Sequence, residues 1–600
     1  MRVDAVSDHE IEQQVLQSLS LDDARALLDR FSSLVRESGS RDEWTAARWI
    51  AARLKSWGVP HTLHDPELFL SVPKAASLEI RVPAPRTIRA KTPAFSASTG
   101  RGSVRGRIVY VPTGYAEGVE SLFDSPIGAA GNGPAGRKEI QGKIVLTEGL
   151  ATPKKVADLA ALGARALIFM NPGQAIHEGI CTTIWGAPDL DSIGRKPAIP
   201  VIAINRPDGQ ALKAQVDAGP VEVTIKTKLD EGWKRCPVLV AEIPGTDDPE
   251  RFVLVHGHID SWHQGIGDNA TGDASLMELA RVFWQHRGRL RRTVRIAWWP
   301  GHSTGRYAGS TWYADTFAQE LDERCVAQVD IDSPGCRWAT EYSGISWMSE
   351  ADAFCRAAIR DATGQDASGE RPHQAGDYSF NNIGITGFYM LLSTMPEALR
   401  RDKGYYAVGG CGANIQWHTE DDTMELVDYD ILMNDLRVYV VSLLRVLNAP
   451  VHPFDFRLVA QEFGRTLDGY QQQAGPAFDF GPARAALDRL ESDLEAFYGQ
   501  VQELTRRPVG DPAVQSACAA IRRLARILVP LNFTREGRFR HDPAVPIPPL
   551  PDLAPAAGLA RHPAGSHEAR VIQTSLLRGR NRVVAALNHA RRAVAGEGRN

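Results

Sequence analysis

His258 and Asp260 stand two residues apart at the end of the apolar run FVLVHGH, and Asp268 follows after the glycine-rich turn HQGIGDN. Ligands of α/β proteins bind at strand ends, and imidazole with carboxylate is a donor set favoured by zinc and similar ions. A carboxylate next to a metal-bound histidine orients it from behind, and Asp260 is placed for that part. An isolated H-x-D pair is a common loop pattern, but two later segments add to it. VDIDSPG puts Asp332 at another strand end, and IQWHTEDDT puts His418 in a loop before the C-terminal helices. Four candidate ligands (His258, Asp268, Asp332, His418) at element ends of one α/β region point to a metal centre. His256 reads as a packed bystander, and His263, beside the glycine-rich turn, as a substrate contact.

A third segment, WPGHSTG, carries His302 and Ser303. An imidazole titrates near neutrality and can take a proton from an activated water, so His302 reads as a ligand, a general base or a structural residue. The same residues satisfy G-x-S-x-G, the nucleophile elbow of serine hydrolases, with Ser303 as nucleophile and His418 as base. That alternative leaves His258, Asp260, Asp268 and Asp332 without a purpose.

The elements that must position these residues follow from periodicity. Residues 10–57 show helical spacing, and Gly58 stops the last run. From about residue 99, short β-like runs (GRIVYVP, KIVLTEG, ARALIFMNP, IPVIAIN, VEVTIKTKL) surround one helix, TPKKVADLAALGA. Strands then alternate with helices: PVLVAEIPG, FVLVHGH, the helix ASLMELARVFWQH, TVRIAWWP, the helix STWYADTFAQELDER and CVAQVDIDSPG. This alternation predicts an α/β sheet covered on both faces. Beyond about residue 429 the chain turns helical. A proline-rich link precedes a last, arginine-rich helix near 572–594.

The 600 residues are too many for one ordinary domain. A net charge of −4 without a lysine-rich block gives no reason to expect nucleic acid or a membrane surface as partner. The polar N-terminus is not a secretory signal. Seven scattered cysteines without C-x-x-C spacing fit a reducing cytoplasm rather than a disulfide framework.

Taken in order, HIDSW…GIGDNATG, WPGHSTGRYAGS, VDIDSPG, GDYSFNNIGITGF and WHTEDDT resemble the co-catalytic zinc exopeptidase family that includes glutamate carboxypeptidase II, plasma glutamate carboxypeptidase and the transferrin receptor. The resemblance spans nearly the whole chain. It implies an α/β fold with a zinc-exopeptidase-like mixed sheet flanked by helices. It further implies an inserted β-rich protease-associated domain, resembled by KVADLAALGARALIFMNP and IPVIAINRPDGQAL, and a helical C-terminal dimerisation domain. The expected boundaries are 1–98 and 236–448 for the metallopeptidase-like domain, 99–235 for the insert and 449–600 for the helical domain.

By the same resemblance His258, Asp268 and Asp332 match ligands of one metal, Asp268 bridges to a second, His418 binds that second metal, and Asp260 backs His258. Asp377, Tyr378 and Trp417 match positions around the substrate pocket. The chain departs from the family at W-x-x-E-E, where the first glutamate is the general base and the second a metal ligand. His302 and Ser303 stand there instead. Two dications against only Asp268 and Asp332 would leave positive charge uncompensated in a buried site, which is costly. One tightly held divalent metal is therefore expected, zinc first and iron as a compatible alternative.

The resulting expectation is a homodimeric, metal-dependent hydrolase of an amide or related C–N bond in a small molecule or short peptide, with His302 and Ser303 in its catalytic half. A lyase or iron-dependent reaction on the same scaffold, the serine hydrolase, and a non-catalytic dimeric binding protein are the alternatives.

Overall fold

The runs FVLVHGH, TVRIAWW and CVAQVD lack polar alternation, the pattern of strands buried on both faces. In the computed structural model, which describes residues 8–124, 127, 134–373 and 375–596, they form the parallel centre of an eight-stranded mixed sheet. Asp248–His258 pairs in parallel with Arg292–Trp299 on one side and with Cys325–Asp330 on the other, and Thr386–Met390 extends the parallel run. Val238–Ile243 and His61–His64 finish one side antiparallel. Ile345–Trp347 and Gly369–Glu370 finish the other.

Register then positions the site. His258 lies opposite Trp299 and His256 opposite Asp330. The loops carrying Asp260, His302 and Asp332 therefore leave the sheet at the same edge, the carboxyl ends of the parallel strands, where α/β proteins bind ligands.

Helices complete the layers. Arg41–Trp57 starts where Ser40 accepts a hydrogen bond from the Glu43 N–H and stops at Gly58, whose φ of 80° suits glycine. Tyr429–Asn448 is capped by the Asp428 side chain. The single helix expected over STWYADTFAQELDER is broken at Phe317 into Ala308–Thr316 and Ala318–Arg324. All seven cysteines are buried free thiols. No described helix is long and apolar enough to cross a membrane.

A second, seven-stranded sheet takes in the strands of the segment expected as an insert, 99–235, together with two strands that precede residue 99. Glu67–Val82 and Arg86–Ile88 belong to this sheet, because Glu67–Val82 pairs along its length with Glu222–Arg235. The boundary at 448/449 is likewise not a break in packing. One continuous hydrophobic core runs from Ile11 through Leu279 and Val440 to Leu528 and Leu587.

Glu350 lies where these layers meet. Its carboxylate accepts from Thr386 Oγ1 at 2.7 Å and its carbonyl from the Asp455 N–H at 2.8 Å. Burial pushes the carboxyl up to about 7. A folded-state value above the unfolded one means stability that is full in acid and falls as pH rises from the ordinary carboxyl range through about 7. Glu350→Gln keeps an acceptor for Thr386 and removes that titration. It is expected to raise stability at pH 8 by on the order of 1–3 kcal/mol and leave it nearly unchanged at pH 4. Urea denaturation at both pH values measures this, and an unchanged pH slope in the variant would contradict it.

Candidate functional site

Three imidazoles meet two carboxylates at the edge of the central sheet. His258 is 2% exposed, and its Nδ1 lies 2.9 Å from the Asp260 carbonyl oxygen. A carbonyl can only accept, so Nδ1 carries a proton, and in the neutral ring Nε2 carries the lone pair. Yet Nε2 faces Asp268 Oδ1 at 2.9 Å and Asp332 Oδ2 at 3.8 Å, without the alignment of a hydrogen bond. His418 repeats the arrangement on the other side of the same carboxylate. Its Nδ1 faces the Glu178 carbonyl at 3.1 Å, and its Nε2 lies 3.1 Å from Asp268 Oδ2.

Lone pairs of nitrogen and oxygen face one another at contact distance, which is unfavourable unless a proton or a cation sits between them. The electrostatics agree. Burial lowers the His258 pKa, but the nearby Asp268, Asp332 and Asp260 charges outweigh it and hold the value well above the usual imidazole range. Burial raises Asp268, but the two imidazoles more than offset it and hold that carboxyl well below its usual value. Burial and the Asp268 charge raise Asp332.

His302 is brought to the same place by its turn. Gly301 precedes it at φ 72°, a left-handed conformation that favours glycine. The Asp260 carboxylate accepts from the His302 N–H at 3.0 Å, the Ser303 N–H at 3.2 Å and Ser38 Oγ at 2.9 Å. Asp260 thus holds His258 with its carbonyl and the His302–Ser303 turn with its carboxylate, whereas the sequence reading gave the carboxylate to His258. His302 Nδ1 lies 2.7 Å from Asp377 Oδ2. Burial raises Asp377, but the His302 charge and hydrogen bond outweigh it and hold the carboxyl below its usual value. An ionised carboxylate only accepts, so Nδ1 carries a proton and, in the neutral ring, Nε2 carries the lone pair, on a side chain that lines the main cavity.

A ring nitrogen of His302, one of His258 and an Asp332 oxygen lie within 4.8 Å of one another. The two rings, however, stack face to face, with centroids 3.9 Å apart and planes at 20°. In-plane lone pairs of near-parallel rings run alongside each other and do not converge on one ion. Closeness alone therefore does not make His302 a ligand of the same cation as His258.

Four expected residues stand elsewhere. Ser303 is 3% exposed, and its N–H is held by Asp260. That buries the nucleophile of the serine-hydrolase alternative, whose proposed base, His418, is turned to Asp268. His263 pairs with Glu178 Oε1 at 3.1 Å and lines a smaller cavity with Lys91 rather than the main one. Asp377 and Tyr378 are 1% and 3% exposed. The first turns to His302, and the second donates to the Ser346 carbonyl at 3.4 Å, so neither is a substrate contact. Trp417 does line the main cavity, with its indole stacked on His418 at 3.7 Å and 16°. His256 is packed, with Nε2 3.0 Å from Gln328 Oε1.

Other contributors carry no sequence signal of a role. Asp422 accepts from the Gly267 N–H at 2.6 Å and the Asp268 N–H at 3.0 Å, fixing the loop of the shared carboxylate. Asn269 binds the Ile331 carbonyl and the Ser333 N–H, both at 2.9 Å, joining the Asp268 and Asp332 loops. The inserted module grips His418, which sits at φ 58°. The Glu178 N–H donates to the His418 carbonyl at 2.8 Å, and His177 Nδ1 donates to the Trp417 carbonyl at 2.7 Å. His177 Nε2 then accepts from Tyr406 Oη at 2.8 Å.

The site opens into a cavity of about 520 Å³ between the two sheets' loops, with Leu122, Leu150 and Ile180 on the module's side and Met390, Val408 and Trp417 opposite.

Strand-end imidazoles facing shared carboxylates on a mixed sheet define a chain resembling the zinc exopeptidases. Residues 239–439 match the model of Peptidase family M28. The chain is 24% identical over 475 residues to the probable glutamate carboxypeptidase VP8 of Zea mays, covering 69% of this chain and 64% of that protein. It is 35% identical over 116 residues to the aminopeptidase NAALADL1 of Mus musculus, 19% of this chain and 15% of that one. It thus spans less than two thirds of either relative. Among solved structures, a peptidase M28 precursor from Shewanella amazonensis superposes with TM-score 0.55 at 19% identity, over 74% of this chain and 98% of that one. BSAP, a zinc aminopeptidase from Bacillus subtilis, gives TM-score 0.53 at 19% identity, over 72% and 95%.

Proposed function

We propose that the chain is a metal-dependent hydrolase that cleaves an amide bond of a short peptide or small molecule, with His302 in the place of the family's glutamate base. The observation that carries this reading is the pair of lone-pair nitrogens, His258 Nε2 and His418 Nε2, facing the two oxygens of Asp268. His258, Asp268 and Asp332 would hold one divalent cation, zinc by the chemistry of nitrogen and oxygen donors. On the far side of Asp268 only His418 contributes, because the position of the second glutamate is the buried Ser303. Three donors against two favour a single tight ion, and two carboxylates balance its charge. Such a cation supplies Lewis acidity toward a carbonyl oxygen and toward water.

The chain's own residues do the rest. Apolar walls of the cavity shield the bond from bulk solvent, which strengthens each electrostatic contact within. His302 Nε2 accepts a proton from the attacking water while Asp377 keeps the opposite ring nitrogen protonated. The same atom returns the proton to the departing nitrogen. The test is hydrolysis of a dipeptide and amide library by the zinc-loaded and the chelator-stripped protein. Activity restored by zinc supports the reading, and equal activity in both preparations overturns it.

The module's hold on His418 gives a separate expectation. His177→Ala removes the donor to the Trp417 carbonyl and the acceptor for Tyr406. Turnover is expected to fall about tenfold, as for other supports behind metal-site residues. Rates within twofold of the parent protein would show that the module's grip is dispensable.

A further inference from the structure

The Asp377 carboxylate lies at the end of a one-way chain of hydrogen bonds. Trp185, in the inserted module, has an indole N–H that can only donate, and it donates to Ser379 Oγ at 2.9 Å. Ser379 and Ser310 hydroxyls are 2.9 Å apart. Ser310 Oγ in turn donates to Asp377 Oδ1 at 2.5 Å. Ser310 Oγ also faces the Tyr307 carbonyl at 3.2 Å, and Thr311 Oγ1 lies 3.1 Å from Ser379 Oγ. With the Ser310 proton on its shorter contact, to Asp377, Ser310 accepts from Ser379, and each donor points toward the carboxylate. The Asp377 N–H is also tied, to Asp330 Oδ2 at 3.1 Å. Both carboxylate oxygens are thus assigned, Oδ1 to Ser310 and Oδ2 to His302 Nδ1 at 2.7 Å. The His302 ring is further fixed edge-on against Tyr307, with centroids 4.9 Å apart at 77°, and Tyr307 packs on Trp185 at 4.5 Å.

We propose that Asp377 is a positioning residue that locks His302 in the Nδ1–H tautomer, and that Trp185 of the inserted module, through Ser379 and Ser310, holds Asp377 to that task. The inference rests on the reading of His302 as the base and deepens it. A flexible glutamate in this place needs no such support, since either oxygen can act. An imidazole has one useful lone pair, and only one tautomer aims it into the cavity. The module therefore takes part in the chemistry through this chain as well as forming a cavity wall.

The test uses the full-length protein with selectively ¹⁵N-labelled histidine, His302→Gln serving to assign the resonance. In the chelator-stripped parent protein His302 is expected as the Nδ1–H tautomer. In Asp377→Asn the amide can donate to Nδ1, and His302 is expected to switch to Nε2–H. On the zinc-loaded protein this switch is expected to lower kcat by about 10²–10⁴-fold, with KM and zinc content within about threefold of the parent. Ser310→Ala and Trp185→Phe are milder substitutions along the same chain. They are expected to give partial switching and smaller kcat losses in the order Ser310 then Trp185. An Nε2–H tautomer in the parent protein overturns the proposal, and so does a kcat in Asp377→Asn within twofold of the parent. Should Asp377→Asn fail to fold, the parent's tautomer and the Ser310→Ala kinetics decide the matter alone. A parent protein without zinc-dependent activity would overturn the hydrolase reading, while the tautomer measurement would still test the positioning.

Discussion

Replacing His258 with alanine is expected to abolish tight zinc binding, from about one equivalent in the purified protein to under about a tenth, and with it essentially all hydrolysis, on the order of 10³-fold or more. His258 is the donor with no substitute, since its Nε2 alone faces both Asp268 and Asp332. In the metal-free protein a second proton, on Nε2, makes His258 the cationic partner of these two buried carboxylates, 6% exposed each, and the substitution leaves them without it. Breaking a buried pair in this way costs about 3–5 kcal/mol, so the stripped variant is also expected to unfold at lower denaturant than the stripped parent. Elemental analysis after gel filtration and urea titration in chelator read the two effects separately. A variant that keeps one equivalent of zinc would move the ion to another set of donors.

His302→Ala is expected to give the opposite division, with zinc retained within a few-fold and kcat lowered by about 10²–10⁴-fold, the usual range for a lost general base. The stacked geometry makes the case. Rings 3.9 Å apart with planes at 20° do not aim both lone pairs at one ion. On the proposed reading His302 would therefore stand beside the cation, where a proton is to be moved. Zinc affinity and single-turnover rates on the same preparation measure the split. A variant stripped of zinc would make His302 a ligand, and a fully active one would make it structural.

Much of this site is legible in the order of residues. His258, Asp268, Asp332 and His418 are recognisable because each follows an apolar strand or precedes a helix, and strand ends are where α/β sheets bind. The break of W-x-x-E-E at His302 and Ser303 is visible by inspection. The β-rich segment announces itself by a change of periodicity, and its sheet also takes in strands before residue 99. Glu67–Val82 is apolar and strand-like in either setting, and only pairing with Glu222–Arg235 assigns it to the second sheet.

Other features are invisible to spacing. His177 and Glu178 lie 240 residues before the positions they hold, and no local pattern marks them. His263 sits within the richest motif and yet turns to Glu178, a residue of a distant segment. Asp377 and Tyr378 look like pocket residues by position and are buried instead. Asp377 gains its part only because the fold sets it 2.7 Å from His302.

The sequence by itself determined the class of fold, the four candidate donors and the absence of the glutamate pair, since these depend on local periodicity and residue chemistry. The tertiary structure decided which nitrogen of each histidine carries its lone pair. That choice is made by acceptors from distant segments, the Asp260 carbonyl for His258, the Glu178 carbonyl for His418 and the Asp377 carboxylate for His302. A histidine's chemistry depends on what its other nitrogen is bonded to, and long-range packing alone supplies that partner.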